Sequence, residues 1–335
     1  MARETQVAVI GAGSWGTTVA SLCARNAPTL VWARRPEVAE EIEAKHTNSA
    51  YLGDRSLHPG LRATASLEEA AAAADVLVMA VPSHGFRAVL EAAEPHVRPW
   101  VPVVSLTKGL EQGTHYRMTE IIDEVMPGHP AGILAGPNLA REVLDGLAAA
   151  AVIAMPDAHV ATALQDVFRT TLFRVYTSTD VIGAEIAGPL KNVFAIAAGM
   201  AAGFGVGENT RALIMARSLA ELTRLGVAMG GQPETFAGLS GLGDLLATCN
   251  SPLSRNRHVG VELAKGRSIE EIVKDMNMVA EGVKASRVVM ELSRQHGVAM
   301  PIAGEVYSIV HEGRSPEDSF RGLLRTRPTT ESAAG

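Results

Sequence analysis

The feature that most constrains the fold is a glycine-rich turn close to the start of the sequence. Residues 6–10 form an apolar, β-branched run that stops at Gly11-Ala12-Gly13-Ser14-Trp15-Gly16, and residues 17–25 continue with helical spacing. This order of strand, glycine turn and helix allows a tight turn, bare backbone for a pyrophosphate and close packing of helix on strand. The pattern predicts a dinucleotide site, and a turn that serves packing only is the alternative.

Two arginines follow the second predicted strand, at the position where a site for NAD usually has an acidic residue. This strand covers residues 29–33, and Arg34 and Arg35 come directly after it. An acidic side chain there binds the ribose hydroxyls, whereas arginines suit a 2′-phosphate. The residues therefore favour NADP(H) over NAD(H), with NAD(H) still possible, and a plain pair of surface arginines is the alternative.

Alternating strand and helix patterns continue to about residue 183. Further strands are predicted at residues 75–81, 101–106, 133–135, 148–154 and 173–177, with helices between several of them and a loop around Tyr51. This alternation predicts a doubly wound, mostly parallel sheet, in which the carboxyl ends of the strands face the ligand. Lys108 and the segment Gly136-Pro137-Asn138 each follow a strand, so we expect both at the cofactor edge.

Strand patterns nearly vanish after residue 181, and the rest of the sequence is predicted to be helical. A chain of 335 residues is long for a single core, which favours two domains. We predict a Rossmann domain over residues 1–183, an all-α domain over residues 184–325 and a flexible tail over residues 326–335.

A lysine and an asparagine interrupt the apolar run of residues 188–199. Burying an ammonium group without a partner costs on the order of several kcal/mol, so Lys191 needs a buried partner or access to water. The pattern predicts that Lys191 and Asn192 lie early in a helix, at one end of it. A lysine whose head group reaches water is the alternative.

Two more polar features occur in the helical half. Asp244 lies among glycines and leucines, where a carboxylate needs either a cation or the start of a helix. The cluster Ser254-Arg255-Asn256-Arg257 comes at the predicted start of another helix. Such a cluster is suited to bind a phosphate or a carboxylate, and exposed surface polarity is the alternative.

Composition narrows the class of function. The formal net charge of -6 gives no basic surface for nucleic acid or anionic lipid. Two cysteines are too few for a disulfide framework, and the histidines are scattered, so we predict a cytoplasmic protein without a metal site. The longest apolar runs, such as residues 147–155, are too short to cross a membrane, and no secretory segment is expected. A homodimer is plausible from the helical second half.

Six short blocks of the sequence match one family in the same order. They are Gly11-Ala12-Gly13-Ser14-Trp15-Gly16, Lys108-Gly109, Gly136-Pro137, Leu190-Lys191-Asn192-Val193, Gly243-Asp244-Leu245 and Ser254-Arg255-Asn256-Arg257. Together they resemble bacterial NAD(P)-dependent glycerol-3-phosphate dehydrogenases, and the similarity extends to about Leu324. The resemblance implies a Rossmann domain, a helical second domain and reversible reduction of dihydroxyacetone phosphate by NADPH. The product, sn-glycerol 3-phosphate, would supply phospholipid synthesis.

The resemblance also implies roles for individual residues. Lys191 would be the catalytic acid and base, with Lys108 and Asp244 completing the catalytic group. The implied substrate-binding residues are Lys108, Gly136, Asn138, Lys191, Asn192, Asp244, Thr248, Ser254, Arg255 and Asn256. The implied cofactor-binding residues are Gly11, Gly13, Ser14, Trp15, Gly16, Arg34, Arg35, Tyr51, Lys108, Ala140, Arg255, Val279 and Glu281. At position 138 the family has serine more often than asparagine.

The chemistry of ketone reduction agrees with these roles. As hydride reaches the carbonyl carbon, negative charge grows on its oxygen, and an ammonium group nearby both stabilises that charge and supplies a proton. A second lysine would favour the neutral amine of Lys191 and a carboxylate such as Asp244 would favour its ammonium form, so both states stay open. We expect the amine of Lys191 and the guanidinium of Arg255 to meet the nicotinamide held by the N-terminal half.

Two other classes of function compete with this interpretation. A lysine-asparagine pair after a Rossmann domain also resembles the 3-hydroxyacid and 6-phosphogluconate dehydrogenases, although the cluster at 254–257 argues for a phosphorylated substrate. A nucleotide-sensing protein that has lost its chemistry is the second competitor. Retention of Lys108, Lys191 and Asp244 argues against it.

Overall fold

The computed structural model describes residues 4–276 and 280–319, and the chain divides into two units between Val181 and Ile182. The first unit is a sheet with helices on both faces. The described part of the second unit is helical. This arrangement confirms the predicted fold class, a mostly parallel α/β domain followed by an all-α domain.

The sheet of the first unit has eight strands in the order β3-β2-β1-β4-β5-β6-β7-β8. All neighbouring strands are parallel except β6 and β7, which are antiparallel. The strands are β1 Val7–Ile10, β2 Thr29–Trp32, β3 Leu61–Thr64, β4 Val76–Met79, β5 Val103–Ser105, β6 Ala131–Ala135, β7 Ala149–Ala154 and β8 Phe173–Ser178.

The helices of the first unit lie between these strands. They are α1 Ser14–Cys23, α2 Pro36–Lys45, α3 Ser49–Leu52, α4 Leu67–Ala73, α5 Ser83–Ala93, α6 Met118–Val125, α7 Ala140–Leu144 and α8 Ala158–Phe168, and a 3₁₀ turn, Glu94–His96, follows α5. Alternate residues of a strand point to opposite faces. In β1, Val7 and Val9 belong to the same core cluster as apolar residues of α1, α2 and α8, whereas Ala8 and Ile10 share a second cluster with those of α4, α5 and α6. Because both faces are covered, the strand is apolar throughout.

The strand order places a topological switch beside β1. The chain goes from β1 outward to β2 and β3, and then returns to β4 on the other side of β1. Ligands of open α/β sheets bind at the carboxyl ends of the strands where the order reverses. The glycine turn follows β1 and Ala80 follows β4, so both lie at this switch.

The second unit, as far as the structure describes it, consists of packed helices. They are α9 Val181–Gly203, α10 Glu208–Ala228, α11 Pro233–Ala237, α12 Asp244–Asn250, α13 Arg255–Ala264, α14 Ile269–Asp275, α15 Glu281–His296 and α16 Pro301–Glu312. A turn of π-helix, Leu239–Gly243, leads directly into α12.

The prediction that Lys191 lies near a helix start is wrong. Helix α9 begins at Val181, so Lys191 lies in its middle, and Pro189 is inside the helix. Proline normally ends or bends a helix, because it lacks an N–H and its ring meets the preceding turn. Here α9 is buried among the other helices, so tertiary packing outweighs the local preference.

Helix α9 is also longer than the apolar runs of the sequence, such as residues 147–155. By length and composition alone it could cross a membrane, since its 18-residue window has a mean hydropathy of 1.3. However, 89% of that window is buried. The core helix of a soluble protein has the same properties, so this helix is only weak evidence for a membrane span.

Three glycines bring helix backbones of the second unit into contact. A Cβ at Gly260 of α13 would lie 2.0 Å from the carbonyl oxygen of Ile196 in α9, and one at Gly199 would lie 2.1 Å from that of Arg257. On α15, a Cβ at Gly282 would lie 2.4 Å from the carbonyl oxygen of Asn192. Helices α13 and α15 therefore pack on α9 at distances that any larger residue would prevent.

Some local elements differ from the sequence predictions. Tyr51 was predicted in a loop but lies in the short helix α3, which the backbone of Asn48 begins. Strand β3 and helices α4 and α6 were not predicted. β3 has only four residues at an edge of the sheet, with Arg62 exposed, so its pattern is weak.

Candidate functional site

The glycine turn is fixed by packing at its two ends. A Cβ at Gly11 would lie 2.7 Å from the carbonyl oxygen of Ala80, and Gly11 has a φ of +120°, which other residues rarely adopt. A Cβ at Gly16 would lie 2.0 Å from the carbonyl oxygen of Gly11. The packing of the protein therefore requires glycine at both positions, independently of any ligand.

Gly13 differs from these two glycines. Apart from its own chain neighbours, nothing in the described residues lies within 4 Å of a Cβ built at this position. Gly13 precedes α1 as its N-cap, and no side chain caps this end of the helix. The open space and the backbone amides at the helix start suit a phosphate group, so the residues present fit a dinucleotide.

Two aromatic side chains lie beside this turn. Ser14 Oγ donates to the carbonyl oxygen of Tyr51 at 3.4 Å, which joins α1 to α3. The guanidinium carbon of Arg35 lies 5.6 Å from the centre of the Tyr51 ring, and Arg35 Nε is 3.8 Å from a carboxylate oxygen of Glu37. Arg34 is exposed. Both arginines thus follow β2 at the edge of the sheet that carries the glycine turn.

The indole of Trp15 is the second aromatic group. Its ring centre lies 6.2 Å from that of Phe173, and the two rings are tilted by 57°. Its Nε1 atom is buried and makes no hydrogen bond within the described part of the chain. A buried donor without an acceptor is costly, so this N–H is available to a ligand or to water.

Lys108 and the segment around Gly136 meet at the carboxyl ends of β5 and β6. Lys108 Nζ donates to the carbonyl oxygen of Gly136 at 3.0 Å. Gly136 has a φ of +139°, and a Cβ there would lie 3.0 Å from the carbonyl oxygen of Ala150. Both polar atoms of the Asn138 side chain are buried and lack a hydrogen-bonding partner among the described residues. Ala140 begins α7 two residues later.

Lys191, Asp244 and Thr248 form the polar cluster of the second unit. Lys191 is 4% exposed and Asp244 is 3% exposed, and Lys191 Nζ makes a hydrogen-bonded ion pair with Asp244 Oδ1. Lys191 Nζ also donates to Thr248 Oγ1 at 2.6 Å. Asp244 and Thr248 lie four residues apart on α12, so they point to the same side of that helix.

This ion pair explains how an apolar helix can carry a lysine. Asp244 supplies the negative charge that a buried ammonium group needs, and Thr248 accepts a second hydrogen bond. The alternative of a lysine that reaches water is therefore wrong. Nearby, burial raises the pKa of the Cys249 thiol to about 12, with a smaller opposite effect from Lys191. Cys249 is thus a neutral thiol, as expected of a core residue.

The cluster at 254–257 begins α13, as the sequence predicts. Ser254 is the N-cap, and its side chain accepts a hydrogen bond from the backbone N–H of Arg257 at 3.3 Å. Arg255 is exposed at the first helical position. Asn256 is buried, and its Oδ1 accepts from the backbone N–H of Gly282 at 2.9 Å. Asn256 therefore also joins α13 to α15.

Of three other predicted residues, two have a described position. Asn192 is buried on α9 next to Lys191. Glu281 is the first residue of α15. Val279 lies outside the described residues. In the described ranges 4–276 and 280–319, no group of three or more histidine, cysteine, aspartate or glutamate side chains is arranged to hold a metal ion.

Sequence reasoning missed one residue beside the glycine turn. Asn48 is fully buried and hydrogen-bonds both to this turn and to α1. A single asparagine that follows a helix has no strong signal in a single sequence. Its role becomes visible only through these two contacts.

Comparison with known proteins covers nearly the whole chain. Residues 6–161 match the family described as NAD-dependent glycerol-3-phosphate dehydrogenase N-terminus, and residues 180–321 match the corresponding C-terminus. A protein from Mycobacterium avium named glycerol-3-phosphate dehydrogenase (NAD(P)+) is 61% identical over 330 residues, which are 98% of this chain and 97% of that protein. A relative of the same name from Thermobifida fusca is 47% identical over 324 residues, 96% of each chain.

Solved structures give the same result. The crystal structure of glycerol-3-phosphate dehydrogenase from Coxiella burnetii has a TM-score of 0.91 at 32% identity, and it covers 96% of this chain and 99% of that chain. A D-mandelate dehydrogenase structure has a TM-score of 0.60 at 13% identity, with coverage of 95% and 99%. The similarity to the D-mandelate dehydrogenase concerns the fold alone.

Proposed function

The chain belongs to the NAD-dependent glycerol-3-phosphate dehydrogenase family, and from this membership we propose that it interconverts dihydroxyacetone phosphate and sn-glycerol 3-phosphate with NAD(P)(H). The observation that carries the proposal is the buried ion pair of Lys191 with Asp244, because a buried ammonium group could donate the proton that reduction of a ketone needs. The residues around Gly13 fit the dinucleotide that the reaction needs. A bound nicotinamide supplies the hydride.

Binding of the dinucleotide is the task of the first unit in this proposal. The backbone at Gly11, Gly13 and Gly16 and the start of α1 would hold the pyrophosphate. The remaining cofactor-binding residues of this unit would be Ser14, Trp15, Arg34, Arg35, Tyr51, Lys108 and Ala140. Arg34 and Arg35 give the proposed preference for NADPH, since guanidinium groups bind a 2′-phosphate that NADH lacks.

Proton transfer is the task of Lys191. In the direction of reduction, its ammonium group donates a proton to the ketone oxygen as negative charge develops there. Asp244 favours the ammonium form of Lys191. The ion pair between the two side chains would form again once the neutral amine has taken up a new proton. Thr248 holds the amine in place through its hydroxyl group. In the direction of oxidation, Lys191 accepts the proton and must first be neutral.

We assign the binding and orientation of the substrate to polar groups of both units. Arg255 at the start of α13 would bind the phosphate, with Ser254 and Asn256 beside it. The substrate-binding residues proposed for the first unit are Lys108, Gly136 and Asn138 at the strand ends. Those proposed for the second unit also include Asn192, Asp244 and Thr248. Asn138 has two buried polar atoms that need a partner, which supports its assignment. Arg255, Val279 and Glu281 would also contact the cofactor.

Several finer features belong to the same proposal. Residues 1–183 would form the dinucleotide-binding domain and residues 184–325 the substrate and catalytic domain, while the tail over residues 326–335 lies outside the described part. We propose a cytoplasmic homodimer that supplies glycerol 3-phosphate for phospholipid synthesis. Size-exclusion chromatography with light scattering checks the dimer, and a monomer at micromolar concentration would contradict it.

An initial-rate assay tests the function. The protein is mixed with dihydroxyacetone phosphate and either NADPH or NADH, and the loss of absorbance of the reduced cofactor is followed. We expect turnover with both cofactors and a higher kcat/KM with NADPH. Unphosphorylated dihydroxyacetone is the matched control, because it keeps the ketone and lacks the group that Arg255 binds.

The outcomes separate the competing functions. Equal rates with and without the phosphate would favour a reductase of other hydroxy acids. Binding of NADPH without any turnover of dihydroxyacetone phosphate would favour a nucleotide-sensing protein. A higher kcat/KM with NADH would overturn the cofactor preference and leave the reaction itself intact.

A further inference from the structure

Asn48 has contacts that its place in the sequence does not explain. It is fully buried, and its Nδ2 donates to the carbonyl oxygen of Ala12 at 3.0 Å and to Thr17 Oγ1 at 2.9 Å. Ala12 lies inside the glycine turn and Thr17 lies in the first turn of α1. One amide group thus joins a segment 31 to 36 residues away to both parts of the proposed pyrophosphate site.

The orientation of this amide is determined by its neighbour. A backbone carbonyl oxygen can only accept a hydrogen bond, so the nitrogen of the Asn48 side chain must face Ala12. Reversal of the amide would place two acceptor oxygens against each other. The Oδ1 atom is buried and has no hydrogen-bonding partner in the described part of the chain, so its environment does not favour the reversed amide.

The contact with Ala12 fixes the peptide group between Ala12 and Gly13. Peptide groups are planar, and no cis peptide bond occurs in the described residues, so the C=O and the following N–H point in opposite directions. When the carbonyl oxygen of Ala12 points at Asn48, the N–H of Gly13 points away from Asn48. Gly13 is the residue with open space beside it, where the pyrophosphate is proposed to bind.

The same residue organises the segment that carries Tyr51. The carbonyl oxygen of Asn48 accepts from the backbone N–H groups of Tyr51 and Leu52, at 3.2 Å and 2.9 Å, which begins α3. Tyr51 in turn accepts from Ser14 through its backbone and lies under Arg35 through its ring. Asn48 therefore connects the glycine turn to the residues that follow β2.

We propose that Asn48 is a positioning residue for the dinucleotide, which holds the Ala12–Gly13 peptide so that the Gly13 N–H faces the pyrophosphate. This inference rests on the proposed function and deepens it. Because NADPH and NADH share the pyrophosphate, Asn48 should affect the dissociation constants of both cofactors equally. In this respect it differs from Arg35, whose proposed partner is present in NADPH alone.

The test uses the full-length protein and the variant Asn48→Asp. Aspartate has the same shape, but it turns an acceptor oxygen towards Ala12 and adds a negative charge near the turn. We expect the dissociation constants of NADPH and NADH, measured by fluorescence titration, to rise by about tenfold or more and by similar factors. The kcat at saturating NADPH should stay within about twofold, since the proton donor is untouched.

Two further variants separate positioning from simple loss of structure. Asn26→Ala is the matched control, because Asn26 Nδ2 also donates to two backbone carbonyls, those of Val167 and Arg169, at 3.0 Å and 2.7 Å. It should lower the melting temperature without changing either dissociation constant. Thr17→Val removes one acceptor of Asn48 and keeps the contact with Ala12, so it should have a smaller effect in the same direction as Asn48→Asp.

The results that overturn the proposal are distinct from failure of the proposed function. Unchanged dissociation constants in Asn48→Asp, a change for NADPH alone, or an equal change in Asn26→Ala would each reject a positioning role. If Asn48→Asp does not fold, Asn48→Ser replaces it, and failure of both to fold would make Asn48 a folding residue only. The proposed function is judged separately, by turnover of the unaltered protein.

Discussion

The two units hold their candidate functional groups in different ways. In the first unit the site is made largely of backbone, and its shape depends on positions without a side chain, such as Gly11 and Gly16. In the second unit it is made of ionised side chains, and Lys191 with Asp244 is buried between helices. A backbone site is sensitive to added atoms, whereas a buried ion pair is sensitive to charge.

The largest effect is expected from removal of the buried lysine. Lys191→Ala should lower kcat by about a hundredfold to ten-thousandfold, the range of general acid catalysis, and should leave the dissociation constant of NADPH nearly unchanged. The measurements are initial rates and fluorescence titration. Lys265→Ala is the control, because Lys265 is an exposed lysine paired with Glu262 on α13.

Near-normal turnover of Lys191→Ala would remove Lys191 from the mechanism. Loss of NADPH binding in that variant would show that the two units do not divide the tasks as proposed. Lys265→Ala should resemble the unaltered protein, since Glu262 keeps its ion pair with Arg267.

In the first unit, by contrast, the addition of a methyl group at a closely packed glycine should disrupt the fold. Gly16→Ala places a Cβ 2.0 Å from a carbonyl oxygen, so we expect a loss of unfolding free energy at the upper end of about 1 to 3 kcal/mol and loss of NADPH binding. Gly13→Ala meets open space and should fold normally, while it weakens NADPH binding. Thermal unfolding and fluorescence titration measure the two effects.

The pair of glycine variants sharpens the comparison because the two differ only in what surrounds them. Gly207→Ala is the control, since Gly207 is also a helix N-cap at which a Cβ meets open space, but it begins α10 in the second unit. Equal NADPH affinity in Gly13→Ala and Gly207→Ala would contradict the assignment of the pyrophosphate to Gly13.

The second unit should also depend on pH through a buried glutamate. Glu221 of α10 accepts from the backbone N–H groups of Ile302 and Ala303, at 2.8 Å and 3.2 Å, at the start of α16. Burial raises the pKa of its carboxyl group from 4.5 to about 7, although these hydrogen bonds oppose the shift. The folded state therefore holds the proton more tightly than the unfolded state does.

This shift predicts the direction of the pH effect. The contribution of Glu221 to stability is complete below about pH 4.5 and is lost as the pH rises through 7, by a total of about 3 kcal/mol. Glu221→Gln should remove this part of the pH dependence, measured as urea unfolding between pH 5 and pH 8. Glu234→Gln, an exposed control on α11, should keep it. Identical pH profiles of Glu221→Gln and the unaltered protein would contradict the prediction.

The smallest effect concerns the choice of cofactor. Arg35→Gln removes a charge that lies over Tyr51 at the edge of the first unit, where solvent reduces its effect. We expect kcat/KM for NADPH to fall by about tenfold and that for NADH to stay within about twofold. An equal loss with both cofactors would show that Arg35 supports the fold of this edge and does not read the 2′-phosphate. The corresponding Arg34→Gln variant shows how the two arginines share the task.

The same contrast between the units explains what the sequence could predict. The glycine turn was found because its signal is local: three glycines, one strand and one helix lie within about twenty residues. The ion pair joins residues 53 positions apart, so no spacing rule indicates it. The family resemblance named Lys191, Asp244 and Thr248, and only the packed helices bring them together.

Where local signals failed, tertiary packing was the cause. Lys191 was predicted near a helix start, but α9 begins ten residues earlier and continues through Pro189, with α13 and α15 packed against it. The edge strand β3 was missed because four residues with Arg62 exposed carry little pattern. Asn48 was missed because its partners, Ala12 and Thr17, are distant in the sequence.

The close approach of α13 and α15 to α9 has a consequence for how the family could change its substrate. Helices α9 and α13, which carry positions 191 and 255, touch backbone to backbone at Gly199 and Gly260, so main-chain contact sets the spacing of the two helices. Substitution of neighbouring side chains would leave that spacing unaltered. If Lys191 and Arg255 bind the two ends of the substrate as proposed, a longer phosphoester would require the shift of a whole helix, which a single substitution does not supply.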